Sequence, residues 1–285
     1  MSVLQIHAHP TRTTVWILSW FLFATGVVSY FWVSRDRHRG NPDDRVMPTL
    51  RQMSQAFVDA TLKPAEDDEV ATNASEQSVA ARIRNSMLWK DTAATGRRFL
   101  ISMALLFPAV LLGLHMGMFP HVGAFFLRFV LFFDKIVALS LLPILFIAFG
   151  IDELAKVMLI VVGVAPTIIL DSYNLTRSVP KEQIVKGFTL GAGDFSITYR
   201  VVFNQIWPRV LNSILLNLNA LMLFLFAGEM IASTDGLAYR IALLRRHMGM
   251  DTIIPYVLWV ALLLFLVDFG MRTLNRKLHP WFQET

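Results

Sequence analysis

The sequence predicts an all-α integral membrane protein with about six transmembrane helices. Three observations carry that prediction. The 285 residues are 55% hydrophobic and 16% charged, where soluble domains run at roughly 45–50% and about 25%. The charges are clustered, which leaves long uncharged windows between them. Cysteine is absent, so neither a disulfide scaffold nor a thiolate metal site can substitute for an apolar core. The net charge of +5 is modest and reads as topology and headgroup contact, not as a nucleic-acid footprint.

The windows follow in order as residues 13–34, 99–127, 136–151, 157–170, 210–228 and 252–267. A helix needs about 20 residues to cross the hydrocarbon core. The first, second and fifth meet that length. The others meet it when flanking charges sit at interfaces or inside the protein. The second is interrupted by Gly117-Met118-Phe119-Pro120. Taken alone, 157–170 also fits a buried soluble helix, but no soluble domain surrounds it. The first window lacks a small-residue cleavage site and ends in Tyr30-Phe31-Trp32, aromatics suited to a membrane interface. It is therefore expected to be a retained span and not a signal peptide.

Three regions result: a transmembrane helix over 1–34, an amphipathic segment over 35–98, and a five-helix core over 99–285. Within 35–98, "MPTLRQMSQAFVDATL" (47–62) places Leu50, Met53, Phe57, Val58 and Leu62 at helical spacing. "KPAEDDEVATNASEQS" (63–78) predicts a flexible loop, and "VAARIRNSMLWKD" (79–91) a second amphipathic helix. No internal repeat is visible. Lys and Arg counted over short loops place the excess on the N-terminal side of the membrane. Arg35, Arg37 and Arg39, directly after the first window, argue the other way.

The chemistry-bearing candidates are few. No Gly-x-x-x-x-Gly-Lys-Ser/Thr loop, nucleophile elbow or zinc-binding helix occurs in the sequence, so the chain is not expected to be an enzyme or to cradle nucleotide phosphates by that route. His7 and His9 form an incidental pair near the terminus, and His115 and His121 flank the Gly-Pro break. No metal site is expected. Asn73-Ala-Ser75 fits a glycosylation pattern that matters only in a eukaryotic secretory setting. Asn212, Ser213, Asn217 and Asn219 lie in the fifth window. Such side chains either glue helices together or, with Asn212 and Asn219 seven apart, line a path. Glu229 and Asp268 are acids at membrane depth, costly enough to need a structural or functional partner.

The polar stretch "VPKEQIVKGFTLGAGDFSITYRVVFNQIWP" (179–208) separates two apolar windows. Pro180 suits a first helical turn. Ile184, Val185 and Phe188 share a face, with Lys181, Glu182 and Lys186 away from it. Gly191 and Gly193 can end that helix, and Phe195, Tyr199 and Val202 resume a stripe up to Pro208. The residues alone allow an amphipathic connector resting on headgroups.

The same stretch resembles the coupling loop of bacterial ABC-importer permeases, above all those of the nitrate/taurine/alkanesulfonate group, where "VPxxLxEAAxxLGA" is common. "VPKEQIVKGFTLGA" keeps Val179, Pro180, Glu182, Leu190, Gly191 and Ala192. "MPTLRQMSQAFVD" (47–59), "FGIDELAKVMLI" (149–160) and "GEMIASTDGLAYRI" (228–241) resemble three further family blocks, in order. The Glu-Ala-Ala triplet of the family falls on Val185-Lys186-Gly187.

The resemblance implies a transmembrane permease subunit of an importer for a small solute such as nitrate, taurine or a sulfonate. It implies the fold of a type I importer, with a cytoplasmic coupling helix within 172–207. Lys181, Glu182, Lys186, Phe188, Leu190 and Gly191 would couple to a separate ATPase. Asn212, Asn217, Asn219 and Glu229 would belong to the translocation path, and Asp268 would be an intramembrane acid. ATP and Mg would bind a partner subunit, with no cofactor on this chain. The implied partners are cytoplasmic ATP-binding subunits, a second permease copy or paralogue, an extracytoplasmic solute-binding protein and the bilayer. The location would be the bacterial inner membrane, with both termini cytoplasmic and 35–98 outside. An ion-coupled secondary transporter or channel, and a membrane scaffold, are the other classes. The first of these expects inverted repeats, which the sequence does not display.

Overall fold

The computed structural model describes residues 12–40, 46–62, 86–246 and 248–281. The expectations for 63–78, for most of 79–91, and for His7, His9 and Asn73 lie outside them. The chain divides into two units, Met1–Asp59 with Leu244–Pro255, and Ala60–Leu243 with Tyr256–Thr285.

In the first unit, α1 (Arg12–Gly40) carries no charged side chain from Thr13 to Ser34. Trp16, Phe21, Leu22 and Trp32 are all more than 65% exposed, as expected of a helix whose solvent is lipid. Its last turns are tied to the segment that follows. Tyr30 donates to the Pro48 carbonyl at 3.2 Å, and the buried Ser34 hydroxyl donates to that of Met47 at 3.0 Å. The helix α2 (Leu50–Leu62) opens on a reciprocal capping box. The Thr49 N–H donates to Gln52 Oε1 at 2.8 Å, and the Gln52 N–H donates to Thr49 Oγ1 at 3.4 Å.

The second unit is helical throughout its described elements. The helices α3 (Met87–Leu105) and α4 (Phe107–Met118) run as one apolar stretch, Met87–Met118, long enough to span a bilayer. The charge-free window 99–127 misplaces this span. It begins at Met87 instead, and the chain turns at Phe119, where Pro120 opens α5 (Pro120–Asp134). A 3₁₀ turn (Ala138–Leu141) and α6 (Leu142–Phe149) follow at an 86° bend.

The central element is α7 (Glu153–Arg177), capped by Asp152, whose carboxylate accepts from the Glu153 N–H at 2.7 Å. It packs closely on α4. A Cβ at Gly113 would lie 2.4 Å from the Ile169 carbonyl oxygen, and one at Gly117 would lie 2.5 Å from Thr176 Cβ. Only glycine permits that approach, the small-residue pattern by which membrane helices gain packing that lipid cannot supply. Around this seam lies the core, including Val110, Leu114, Ile160, Val164, Ile168, Ile206 and Leu221.

Next come α8 (Lys181–Thr189), a short turn (Asp194–Ser196), a π-helical segment (Ile197–Phe203), α9 (Asn204–Leu216) and α10 (Leu218–Ala232). Pro208 lies inside α9 instead of ending the helix, and the run Asp194–Leu216 bends by 46° into α10. The helices α11 (Leu237–Arg246) and α12 (Met250–Leu278) complete the order. Among the described residues, four helices are long and apolar enough to cross a membrane, or six when each bent pair counts as one span.

Candidate functional site

Two sites stand out in the second unit: the loop between α7 and α9, and a buried ionic hub where α3, α7, α10 and α11 meet.

The loop is built by its own local chemistry. Pro180 caps α8 at its N-terminus. At the other end Gly191 adopts φ +82°. Its N–H donates to the Phe188 carbonyl at 2.9 Å, and the Ala192 N–H donates to that of Gly187 at 3.1 Å. This pair of bonds is a Schellman closure, and it requires the left-handed residue that glycine supplies. Gly187 lets Ile197 approach, since a Cβ there would sit 3.1 Å from the Ile197 side chain. That contact holds α8 against the π-helical segment.

The remaining faces of the loop are open. Lys181, Glu182 and Lys186 are exposed, as are four apolar side chains: Leu190 at 86%, Phe195 at 68%, Val185 at 57% and Phe188 at 49%. Beneath α8 lies a cavity of about 370 Å³, lined in part by Phe119, Thr176, Lys181, Ile184, Phe188 and Asp194.

The fifth-window amides separate at the bend. Asn212 lies in α9 and accepts from Asn275 of α12 at 3.3 Å. Asn275 also donates to the Pro208 carbonyl at 3.0 Å. Asn217 sits at the junction of α9 and α10 and donates to the Ser213 carbonyl at 2.9 Å. Asn219 is exposed on α10. Ser213 donates to Asp171, deep in α7. Asp268 is paired one turn along its own helix with Arg272, at 2.9 Å.

The hub centres on Arg98, a residue the sequence reading passed over. It is 1% exposed, and all five of its guanidinium N–H groups have partners. Nε and Nη2 donate to the two oxygens of Glu153 at 2.6 and 2.8 Å. Nη1 donates to Glu229 Oε1 at 2.8 Å and to the Asp235 carbonyl at 3.0 Å. Nη2 donates also to the Asp235 carboxylate. Lys156, buried on α7, adds a bond to Glu153 at 2.9 Å.

Glu229 is fully buried. Its Oε2 accepts from Thr95 at 3.1 Å and from the Ala238 N–H at 3.1 Å. The Leu237 N–H donates to Thr95 Oγ1 at 2.9 Å, and the Gly236 N–H donates to Asp91 Oδ1 at 3.1 Å. Three consecutive N–H groups at the start of α11 are thus satisfied by side chains of α3 and α10. Two of those acceptors are acids placed where a helix N-terminus favours negative charge.

Arg240 closes the network by donating to Asp91 Oδ2 at 2.9 Å. Burial alone would lower its pKa, but the bond and charge of Asp91 outweigh that and hold the guanidinium above its ordinary value. Gly236 carries φ +117°, and a Cβ there would stand 2.7 Å from Glu229 Cδ and 2.8 Å from Arg98 Nη1. The turn into α11 can lie on the ion pair because it has no side chain there.

The signal for this site was periodic. Asp91, Thr95, Arg98 and Ser102 recur at i, i+4, i+7 and i+11 on one face of α3, and all four are buried. No group of three or more His, Cys, Asp or Glu side chains placed to hold a metal ion occurs among the described residues. The hub ties α3, α7, α10 and α11 together.

The comparisons with known proteins agree with this architecture. Residues 109–280 match the family described as binding-protein-dependent transport system inner membrane component. The taurine transport system permease protein TauC of Escherichia coli is 28% identical over 204 residues, covering 70% of this chain and 73% of that protein. SsuC of the same organism, an aliphatic sulfonates transport permease protein, is 24% identical over 143 residues, covering 50% of this chain and 54% of its own length. Among solved structures, an inward-facing MetNI methionine ABC transporter chain is similar at a TM-score of 0.52 and 19% identity, over 67% of this chain and 93% of that one. At that identity the likeness is one of fold. Because the family match covers more than half of the chain, this protein belongs to the binding-protein-dependent transport system inner membrane components, the membrane-spanning permeases of ABC importers.

Proposed function

We propose that this permease carries a small sulfonated solute, or a related anion, and that the loop 179–202 is where a separate ATPase drives it. The family supplies the coarser frame: a multi-pass inner-membrane transport protein, not an enzyme, that works with an ATP-binding subunit and a binding protein. The solute class follows from the taurine and aliphatic sulfonate permeases to which the chain is similar. ATP and Mg belong to the partner subunit, and a second permease copy or paralogue completes the path. The 172–207 side and both termini face the cytoplasm.

The observation that carries the coupling role is the exposure of Val185, Phe188, Leu190 and Phe195 on an otherwise polar loop. Apolar side chains clustered on a short helix between two membrane elements suit a groove on a docked partner. Lys181, Glu182 and Lys186 form the polar rim of that contact, and Gly191 fixes the turn between its two halves. Asn212, Asn217 and Asn219 lie along the bent α9–α10 run, which we assign to the translocation path. Glu229, near the end of α10, and Asp268, paired with Arg272 on α12, act as structural acids.

The test is to co-express the chain with a P-loop ATPase encoded beside it, purify the complex and measure solute-stimulated ATP hydrolysis in liposomes with the binding protein and taurine. We expect co-purification and taurine-dependent stimulation. Leu190→Asp with Phe188→Asp should abolish co-purification while the chain still inserts. Retention of the ATPase by that variant removes the coupling assignment, and failure of the wild type to retain any nucleotide-binding subunit removes the whole reading.

A further inference from the structure

We propose that the first unit holds a binding site for the headgroup of an anionic phospholipid, formed where the C-terminal turns of α1 meet the start of α2. A cavity of about 550 Å³ opens there, lined by Val28, Phe31, Trp32, Arg35, Leu50 and Arg51 together with Ser34 and Thr49. Its two arginines approach from different elements, Arg35 from α1 and Arg51 from α2. Neither guanidinium has a hydrogen-bond or ion-pair partner among the described residues, and Asp36, the acid beside Arg35, pairs with neither.

The hydroxyls in the cavity are already committed. Ser34 donates to the Met47 carbonyl at 3.0 Å, and Thr49 donates to Gln52 at 3.0 Å. The free hydrogen-bonding capacity of the site is therefore cationic. Two guanidinium groups over one cavity fit the oxygens of a phosphodiester, which they can engage through paired N–H donors.

The rest of the lining is apolar. Val28, Phe31, Trp32 and Leu50 offer a surface for the glycerol and upper acyl carbons. The position in the chain agrees. Tyr30, Phe31 and Trp32 are the interface-seeking end of a helix exposed along its length, where headgroups lie. Leu50 and Val58 remain more than 45% exposed on α2, as suits an amphipathic helix lying in the interface. Contacts within this unit, namely the Tyr30 and Ser34 bonds and the capping box at Thr49, join the elements that form the site. Of the three arginines that follow the first window, it gives a role to Arg35.

The experiment is native mass spectrometry of the full-length chain in detergent, titrated separately with dioleoyl phosphatidylglycerol, dioleoyl phosphatidylcholine and inorganic phosphate. Phosphatidylglycerol should be retained, phosphatidylcholine should not, and inorganic phosphate should neither bind nor displace the lipid. Arg35→Gln with Arg51→Gln should weaken phosphatidylglycerol binding about thirtyfold, the effect of two basic groups at a headgroup. Arg37→Gln with Arg39→Gln, which removes equal charge outside the cavity, should change it less than about threefold. Equal losses in the two double variants would show a diffuse electrostatic effect and overturn the site. Equal retention of both lipids, or displacement by inorganic phosphate, would overturn the headgroup as its occupant.

Discussion

Arg98 Nη1 and Glu229 Oε1 stand 2.8 Å apart, with both side chains withdrawn from solvent and the two residues 131 positions apart in the sequence. The two ends of the hub differ in how much they lose when one is removed. Arg98→Met leaves the fully buried Glu229 without its cation, while Glu153 keeps Lys156, and should cost about 3–5 kcal/mol, the usual result of leaving a buried charge unpaired. Glu229→Gln leaves Arg98 its bonds to Glu153 and Asp235 and should cost about 1–3 kcal/mol. Thermal unfolding of the detergent-purified chain measures both. An equal or larger loss for Glu229→Gln contradicts the assignment of Arg98 as the centre.

Gly236 should tolerate nothing larger. Gly236→Ala forces a Cβ to 2.7 Å from Glu229 Cδ at φ +117°, and should destabilise by about 2 kcal/mol or more. Gly96→Ala is the control. It lies inside α3 with nothing within 4 Å of its Cβ, so the better helix former should be neutral or stabilising by up to about 1 kcal/mol. Melting curves of the two variants should move in opposite directions.

The α4–α7 seam makes a second packing prediction. Gly113→Val drives its Cβ to 2.4 Å from a backbone oxygen of Ile169, and backbone cannot rotate away. We expect a loss of at least about 1–3 kcal/mol, the overpacking range. Gly270→Val on α12 meets nothing within 4 Å and should be nearly silent. Limited proteolysis across a temperature series separates the two. Similar protection would mean that the helices do not approach as described.

At Gly191 the prediction concerns function. A Cβ there meets nothing within 4 Å, but φ is +82°, so substitution strains backbone and not packing. Asn accepts left-handed geometry far better than a β-branched residue. Gly191→Asn should keep transport coupled to ATP hydrolysis. Gly191→Val should insert normally yet lose transport relative to ATPase rate by about tenfold, a cost near 1.4 kcal/mol in the coupled state. Normal coupling in Gly191→Val would remove the bend from the mechanism.

The sequence displayed the spans wherever lipid or apolar core surrounds them, and it hid them where charges are internally paired. Asp91, Arg97 and Arg98 mark the start of the 99–127 window when charge is taken as a sign of water. In the fold Asp91 and Arg98 are buried inside α3, because their partners Arg240, Glu153 and Glu229 arrive from other helices and Asp235 from the turn before α11. Glu153 and Lys156 shorten the apparent fourth window in the same way, although α7 runs from Glu153 to Arg177. The turn at Phe119 and Pro120 was visible as a break, but whether a Gly-Pro break kinks a helix or reverses the chain depends on what packs against it. Tyr173 and Thr176 of α7 do that here. The α8–Gly191 turn was legible because its Schellman closure is local chemistry. The hub was not, because the pairs that Arg98 and Asp91 make join residues 55 or more positions apart.

Three N–H groups at the start of α11 have acceptors only on α3 and α10. This places a clock on biogenesis. Asp91, Thr95 and Arg98 leave the ribosome well before Glu229 and Gly236 exist, and at roughly 5–20 residues per second the wait is on the order of 10 s. Through that interval the nascent α3 holds its charges without their later partners. A chain that stops short of Gly236 therefore leaves Asp91 and Thr95 without the N–H donors they accept from in the finished fold.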